Sequence, residues 1–139
     1  MDPLAAIIPH IQGWVTVWAG RVAEARQHYL DALRLDPGFP YAIGNLAWTH
    51  VLLGEFDQAR ARYREVAELL DVDPGRDLLF VDALENPALR EAAITRLREV
   101  PIPSQPFDVA PALMLLGEPE LALERLLLNF AAGGAYAPH

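Results

Sequence analysis

The chain has 139 residues, 53% of them hydrophobic, and a net charge of −8 with no cysteine. This length suits one packed domain, the hydrophobic fraction excludes disorder along the whole chain, and the missing thiols exclude disulfides, cysteine catalysis and thiolate metal sites. The acidic balance repels phosphate, so neither nucleic acid nor an anionic membrane surface is an expected partner.

Proline and glycine divide the chain into about eight helical segments. Asp2-Pro3 caps and opens a first helix that should run to about Ala19. This stretch is uncharged from Pro3 to Gly20 and broken by Pro9, His10, Gln12 and Thr16. It lacks the basic start of a secretory leader and the length of a membrane span, so a cytoplasmic protein is expected. Gly20 ends it, and Arg21 to Leu35 form a second helix stopped by Asp36-Pro37-Gly38. Phe39 to Leu53 make a third, with Gly54 as its stop, and Phe56 to about Leu70 a fourth. Asp77 to Leu84 predict a short fifth helix, and Asn86-Pro87 starts a sixth running to about Val100. Pro101 to Pro106 read as an extended connector. Asp108 to Leu116 and Glu118 to Phe130 make a last pair, and the tail with its Gly-Gly pair reads as frayed. No strand pattern competes.

Two stretches match at a fixed offset. Gly20 and Gly54, Ala25 and Ala59, and Tyr29 and Tyr63 are each 34 residues apart. Such a period marks paired-helix units that bury their apolar faces only by stacking. The residues at these positions resemble the tetratricopeptide repeat. Leu46-Ala47 stand at the family's Leu-Gly pair, with Ala59 and Tyr63 at its Ala and aromatic positions. The preceding unit departs in its first helix, with Gln12-Gly13 at the Leu-Gly site and Pro9 where an aromatic is usual. Phe80-Val81, Ala93 and Leu97 resemble a degenerate third copy, and Val109-Ala110, Ala122 and Leu126 a weaker fourth. From Ala88 to Gly117 the step shrinks to 29 residues. The resemblance implies an all-α protein of about four antiparallel helix hairpins, stacked as a short right-handed superhelix. It is expected to be one domain over residues 1–139, with units at about 3–37, 39–74, 76–100 and 107–130 and a tail over 131–139. The opening, Asp2-Pro3-Leu4 through Gly13-Trp14 to Ala19-Gly20-Arg21, also resembles tetratricopeptide tails of larger bacterial signalling and regulatory proteins.

Ile7, Ile11, Trp14 and Trp18 fall on one face of the first helix. Moving on by 34 gives Tyr41, Asn45, Trp48 and Leu52 on the third. The resemblance makes this pair of stripes the concave face, with His10 at its edge. None of the eight stripe residues is charged. Aromatics bury large areas with few rotors to freeze, which suits a groove for an apolar protein or peptide segment, with Asn45 setting its register. The same stripe also suits burial under the chain's own later helices, or an enclosed cavity for a small apolar ligand. A clamp for C-terminal carboxylates, which the family also builds, needs Lys or Arg on these helices. Neither occurs between Pro3 and Ala19 or between Phe39 and Gly54.

No enzyme is expected. There is no phosphate loop or nucleophile elbow, and the one serine, Ser104, lies in the proline-rich connector. Asp71, Asp73 and Asp77 hint at a calcium loop, but Arg76 and Asp82 stand where that loop needs Gly and Glu. The four histidines form no ligand set, so no metal or cofactor is expected. In the last helix, Leu123, Leu127 and Phe130 belong to an apolar run too dense for one buried stripe. It points to self-association as a homodimer, or to a fragment of a longer protein.

Overall fold

The computed structural model describes the backbone over residues 3–101 and 106–132, and side chains over 5–101 and 109–132. These residues form α1 (Pro3–Trp18), α2 (Val22–Leu35), α3 (Pro40–Leu52), α4 (Phe56–Leu70), α5 (Gly75–Glu85), α6 (Arg90–Arg98), α7 (Pro106–Leu115) and α8 (Pro119–Ala131), with a 3-10 turn at Pro87–Leu89. The protein is all-α, and among the described residues no helix is long and apolar enough to cross a membrane. The chain divides into two compact units, Met1–Val81 and Asp82–His139. The expected Asp2 cap, the connector over 102–105 and the tail from 133 lie outside the described residues.

One turn recurs. Gly20, Gly54 and Gly117 adopt φ of +81°, +74° and +82°. In each case the glycine N–H and the next N–H reach back to carbonyls three and five residues earlier. Gly20 bonds Val17 and Arg21 bonds Thr16, at 2.9 and 3.0 Å. Gly54 bonds Val51 and Glu55 bonds His50, at 3.0 and 2.8 Å. Gly117 bonds Met114 and Glu118 bonds Leu113, at 3.0 and 2.9 Å. This closure satisfies carbonyls that the helix end leaves open, and glycine enters the left-handed region without a Cβ penalty. Asp71, at φ 54°, closes α4 in the same way.

The loops after α2 and α4 also share a device. Asp36 accepts from the Gly38 N–H at 3.3 Å, and Asp73 from the Gly75 N–H at 2.9 Å. That second bond lets α5 start at Gly75, ahead of the expected Asp77. The sixth helix is shorter than expected. Asn86 accepts from the Ala88 N–H at 3.1 Å, a tight 3-10 turn follows, and the α-helix covers only Arg90–Arg98. Tight turns of this kind are frequent at helix starts.

In the first unit α1 packs on α2, α2 on α3 and α3 on α4, and α1 also touches α3. Ala25, Tyr29 and Leu46 form a buried cluster, with Val17, Leu30 and Leu33 packed against it. A Cβ at Gly13 would lie 2.8 Å from the Tyr29 ring, so this position needs glycine for close approach. Gly13 therefore keeps the repeat's small residue, and Gln12 is the residue that departs from the Leu-Gly pattern. Burial pushes the Tyr29 hydroxyl pKa well up.

In the second unit α7 packs on α8. The buried face of α8 carries Ala122, Arg125 and Asn129 rather than its leucines. The Arg125 guanidinium donates to the carbonyls of Val100 and Pro101, which holds the end of the α6 segment to α8.

Candidate functional site

Gly20 and Gly54 set α1 and α3 in equivalent places in successive hairpins, and the two helices touch. Their contact is polar where His10 meets Asn45, with Asn45 Nδ2 2.8 Å from His10 Nε2. An amide nitrogen donates, so His10 Nε2 accepts and the imidazole is neutral. Burial lowers the His10 pKa, which favours that neutral form. The imidazole also lies 5.0 Å from the Phe39 ring and 5.8 Å from Tyr29, centroid to centroid. Asn45, expected to set a partner's register, thus commits its amide nitrogen to His10.

Around this contact the stripe residues stay open. Ile7, Ile11, Trp14 and Leu52 are exposed, and Trp18 and Tyr41 are 66% and 64% accessible. Trp14 and Trp18 meet edge to face at 5.8 Å, and Phe39 and Tyr41 do so at 6.2 Å. Trp48 differs. Its ring stacks on Phe80 of α5, at 6.0 Å with 15° between planes, and it is only half-exposed. Phe39 and Phe80 were not among the sequence-derived site residues. Phe80 stands 34 residues after Leu46, so the repeat period itself marks it as facing the preceding hairpin.

A charged node links the first two hairpins. Glu55, in the turn after Gly54, accepts from Arg26 of α2 at 2.6 Å and bonds His50 Nδ1 at 2.9 Å. The His50 bond is the main cause holding the Glu55 carboxyl below the usual carboxylate range, with Arg26 adding to it. The second unit repeats the arrangement. Glu118, in the turn after Gly117, pairs with Arg90, and the Arg90 Nε donates to the Leu116 carbonyl at 2.8 Å.

The other expected association residues, Leu123, Leu127 and Phe130, are all exposed on α8. Among the described residues no group of three or more His, Asp or Glu side chains is placed to hold a metal ion.

The strip offers aromatic area and apolar edges. No curated protein matches the chain. The family model for the tetratricopeptide repeat matches residues 19–75, the stretch from the first left-handed glycine turn to the start of α5. Over residues 19–75 the chain is therefore similar to the tetratricopeptide repeat, a unit that generally mediates protein–protein interactions.

Proposed function

We propose that this protein is a non-catalytic adaptor that binds an apolar segment of a partner protein along the strip formed by α1 and α3. The observation carrying this reading is the exposure of Trp14, Trp18 and Tyr41 in one uncharged strip on adjacent helices. Aromatic side chains of this kind serve as anchors because they bury large area at small entropic cost. Exposure also separates this reading from an enclosed cavity for a small apolar ligand, which would need the same rings covered. Ile7, Ile11 and Leu52 border the aromatic anchors, and the His10–Asn45 bond fixes the spacing between the two helices. Trp48, braced by Phe80, forms the floor of the strip. Its cytoplasmic setting, and the reading of residues 1–139 as a single repeat domain, belong to the same proposal and rest on the sequence pattern.

The test compares wild type with Trp14→Ala and Trp18→Ala, in capture of binding proteins from lysate followed by titration of the captured partner. Each substitution should weaken binding by about 2 kcal/mol, roughly thirtyfold, while leaving the melting temperature nearly unchanged. Equal capture by wild type and by a folded double variant would rule out the strip as the binding surface.

A further inference from the structure

The α1 helix has a second apolar face, about a quarter-turn from the aromatic strip. It carries Ile8 and Val15, which are 60% and 56% exposed. Thirty-four residues on, the matching residues of α3 are Ala42 and Thr49, and both are fully buried. In α3 that face packs toward the preceding hairpin. Leu46 from the same face joins Ala25 and Tyr29 of α2, with Leu30 and Leu33 packed against the cluster. The α1 helix therefore presents, uncovered and with larger apolar residues, the face that α3 uses to seat on α2. Gln12, in the place of Leu46, is its polar member.

The matching half of this joint is exposed on α8. Ala25 and Ala122 are both buried and both lie five residues after a left-handed glycine, which sets the register between α2 and α8. In that register Arg26, Leu30 and Leu33 of α2 correspond to Leu123, Leu127 and Phe130 of α8. Of these α2 residues, Leu30 and Leu33 pack against the cluster that Leu46 of the next hairpin joins, and Arg26 reaches that hairpin through Glu55. On α8 all three positions are apolar and exposed, with Leu127 at 59%. Both halves of the α2–α3 joint thus recur, one on each unit, with Ile8, Val15, Leu123 and Leu127 each more than half exposed.

We propose that two copies of this chain associate head to tail, with Leu123, Leu127 and Phe130 of one copy seated on the Ile8 and Val15 face of the next. The contact continues the α2–α3 packing from one molecule to another. The Arg26–Glu55 pair is not carried over, since Leu123 replaces the arginine and Arg21 stands at the glutamate's place after Gly20. Replacing Arg26 by Leu123 keeps a second cation away from Arg21, and the neighbouring Glu120 and Glu124 have the opposite sign. The contact is heterologous, so it propagates into larger species or closes into a ring.

Complementation tests it. Light scattering on a concentration series should show wild-type mass rising beyond twice the chain mass of 15.4 kDa. Val15→Glu breaks one half of the joint and Leu127→Glu the other, so each variant alone should remain a single chain. Mixed in equal amounts, they retain one good face of each kind and should form a species of two chains and no larger. That rescue also shows that both variants are folded. Ile8→Arg and Leu123→Arg repeat the scheme at independent positions. A wild type that stays monomeric throughout overturns the proposal. So does a Val15→Glu variant that associates like wild type, which would mean a symmetric contact through α8 alone. Trp14→Ala should leave the mass unchanged, so failure here and failure of the aromatic strip read out separately.

Discussion

Gly13 and Gly44 both sit inside helices, and their surroundings give them opposite roles. A Cβ at Gly13 meets the Tyr29 ring at 2.8 Å, whereas a Cβ at Gly44 meets nothing within 4 Å. Tyr29 is buried and wedged in the core cluster, so its ring has little room to yield. Overpacking in such a place costs about 1–3 kcal/mol, set against a helix-propensity gain of up to about 1 kcal/mol for replacing glycine with alanine. Gly13→Ala should therefore lower stability in urea unfolding, while Gly44→Ala should raise it by roughly 0.5–1 kcal/mol. Equal shifts in the two variants would mean that Tyr29 does not hold that position. His10 is another residue whose role follows from its neighbours. Read alone it is a histidine at the edge of an apolar stripe, but Asn45 and Phe39 fix it as a neutral acceptor.

Between elements, the joint of α2 with α3 and with the turn that follows it combines an apolar contact with the Glu55 node. Leu30 and Leu33 supply the burial, and the bonds from Arg26 and His50 to Glu55 fix the angle of approach. The Glu55 carboxyl has its pKa lowered from 4.5 in the folded protein. The unfolded chain therefore binds more protons in acid, and stability rises with pH through that window. The contribution is complete above about pH 4.5 and is lost as the pH falls through the lower folded value. Glu55→Gln should lower the melting temperature at pH 7, and the gap from wild type should close in acid. A gap that stays constant down to pH 3 would show that shape, rather than charge, carries the node. The Trp48–Phe80 stack is the apolar counterpart where α5 meets α3.

At the scale of the whole molecule, the −8 net charge opposes any contact between copies, while the apolar faces of α1 and α8 favour one. Salt screens the first effect and leaves the second largely intact. If the copies join head to tail, raising salt from about 0.05 to 0.5 M should increase wild-type mass at fixed concentration. Val15→Glu, lacking its half of the joint, should show no such rise. An association held by ion pairs would weaken over the same range.

Most helices and their closing turns were legible in residue type and spacing, although α5 begins earlier and α6 is shorter than the pattern implied. The expected fourth helix, Phe56 to Leu70, matches α4 at both ends, and Gly20, Gly54 and Gly117 all close their helices as the turn pattern implied. These features are local, with bonds that span at most five residues, so residue type and spacing suffice to specify them. The aromatic stripe was legible for a related reason, since a 34-residue period and a 3.6-residue turn together say which side chains share a face. What those faces meet depends on long-range packing. The pairing of His10 with Asn45, of Arg26 with Glu55 and of Trp48 with Phe80 links residues about 30 positions apart. In α8 the structure chose against hydrophobicity, burying Arg125 and Asn129 while leaving Leu123 and Leu127 in solvent. Side-chain type could not foretell that choice, because the Val100 and Pro101 carbonyls that receive Arg125 are brought to it by the packing of the chain. A buried polar group is tolerated where its partners are assembled around it, and where that happens is a property of the fold.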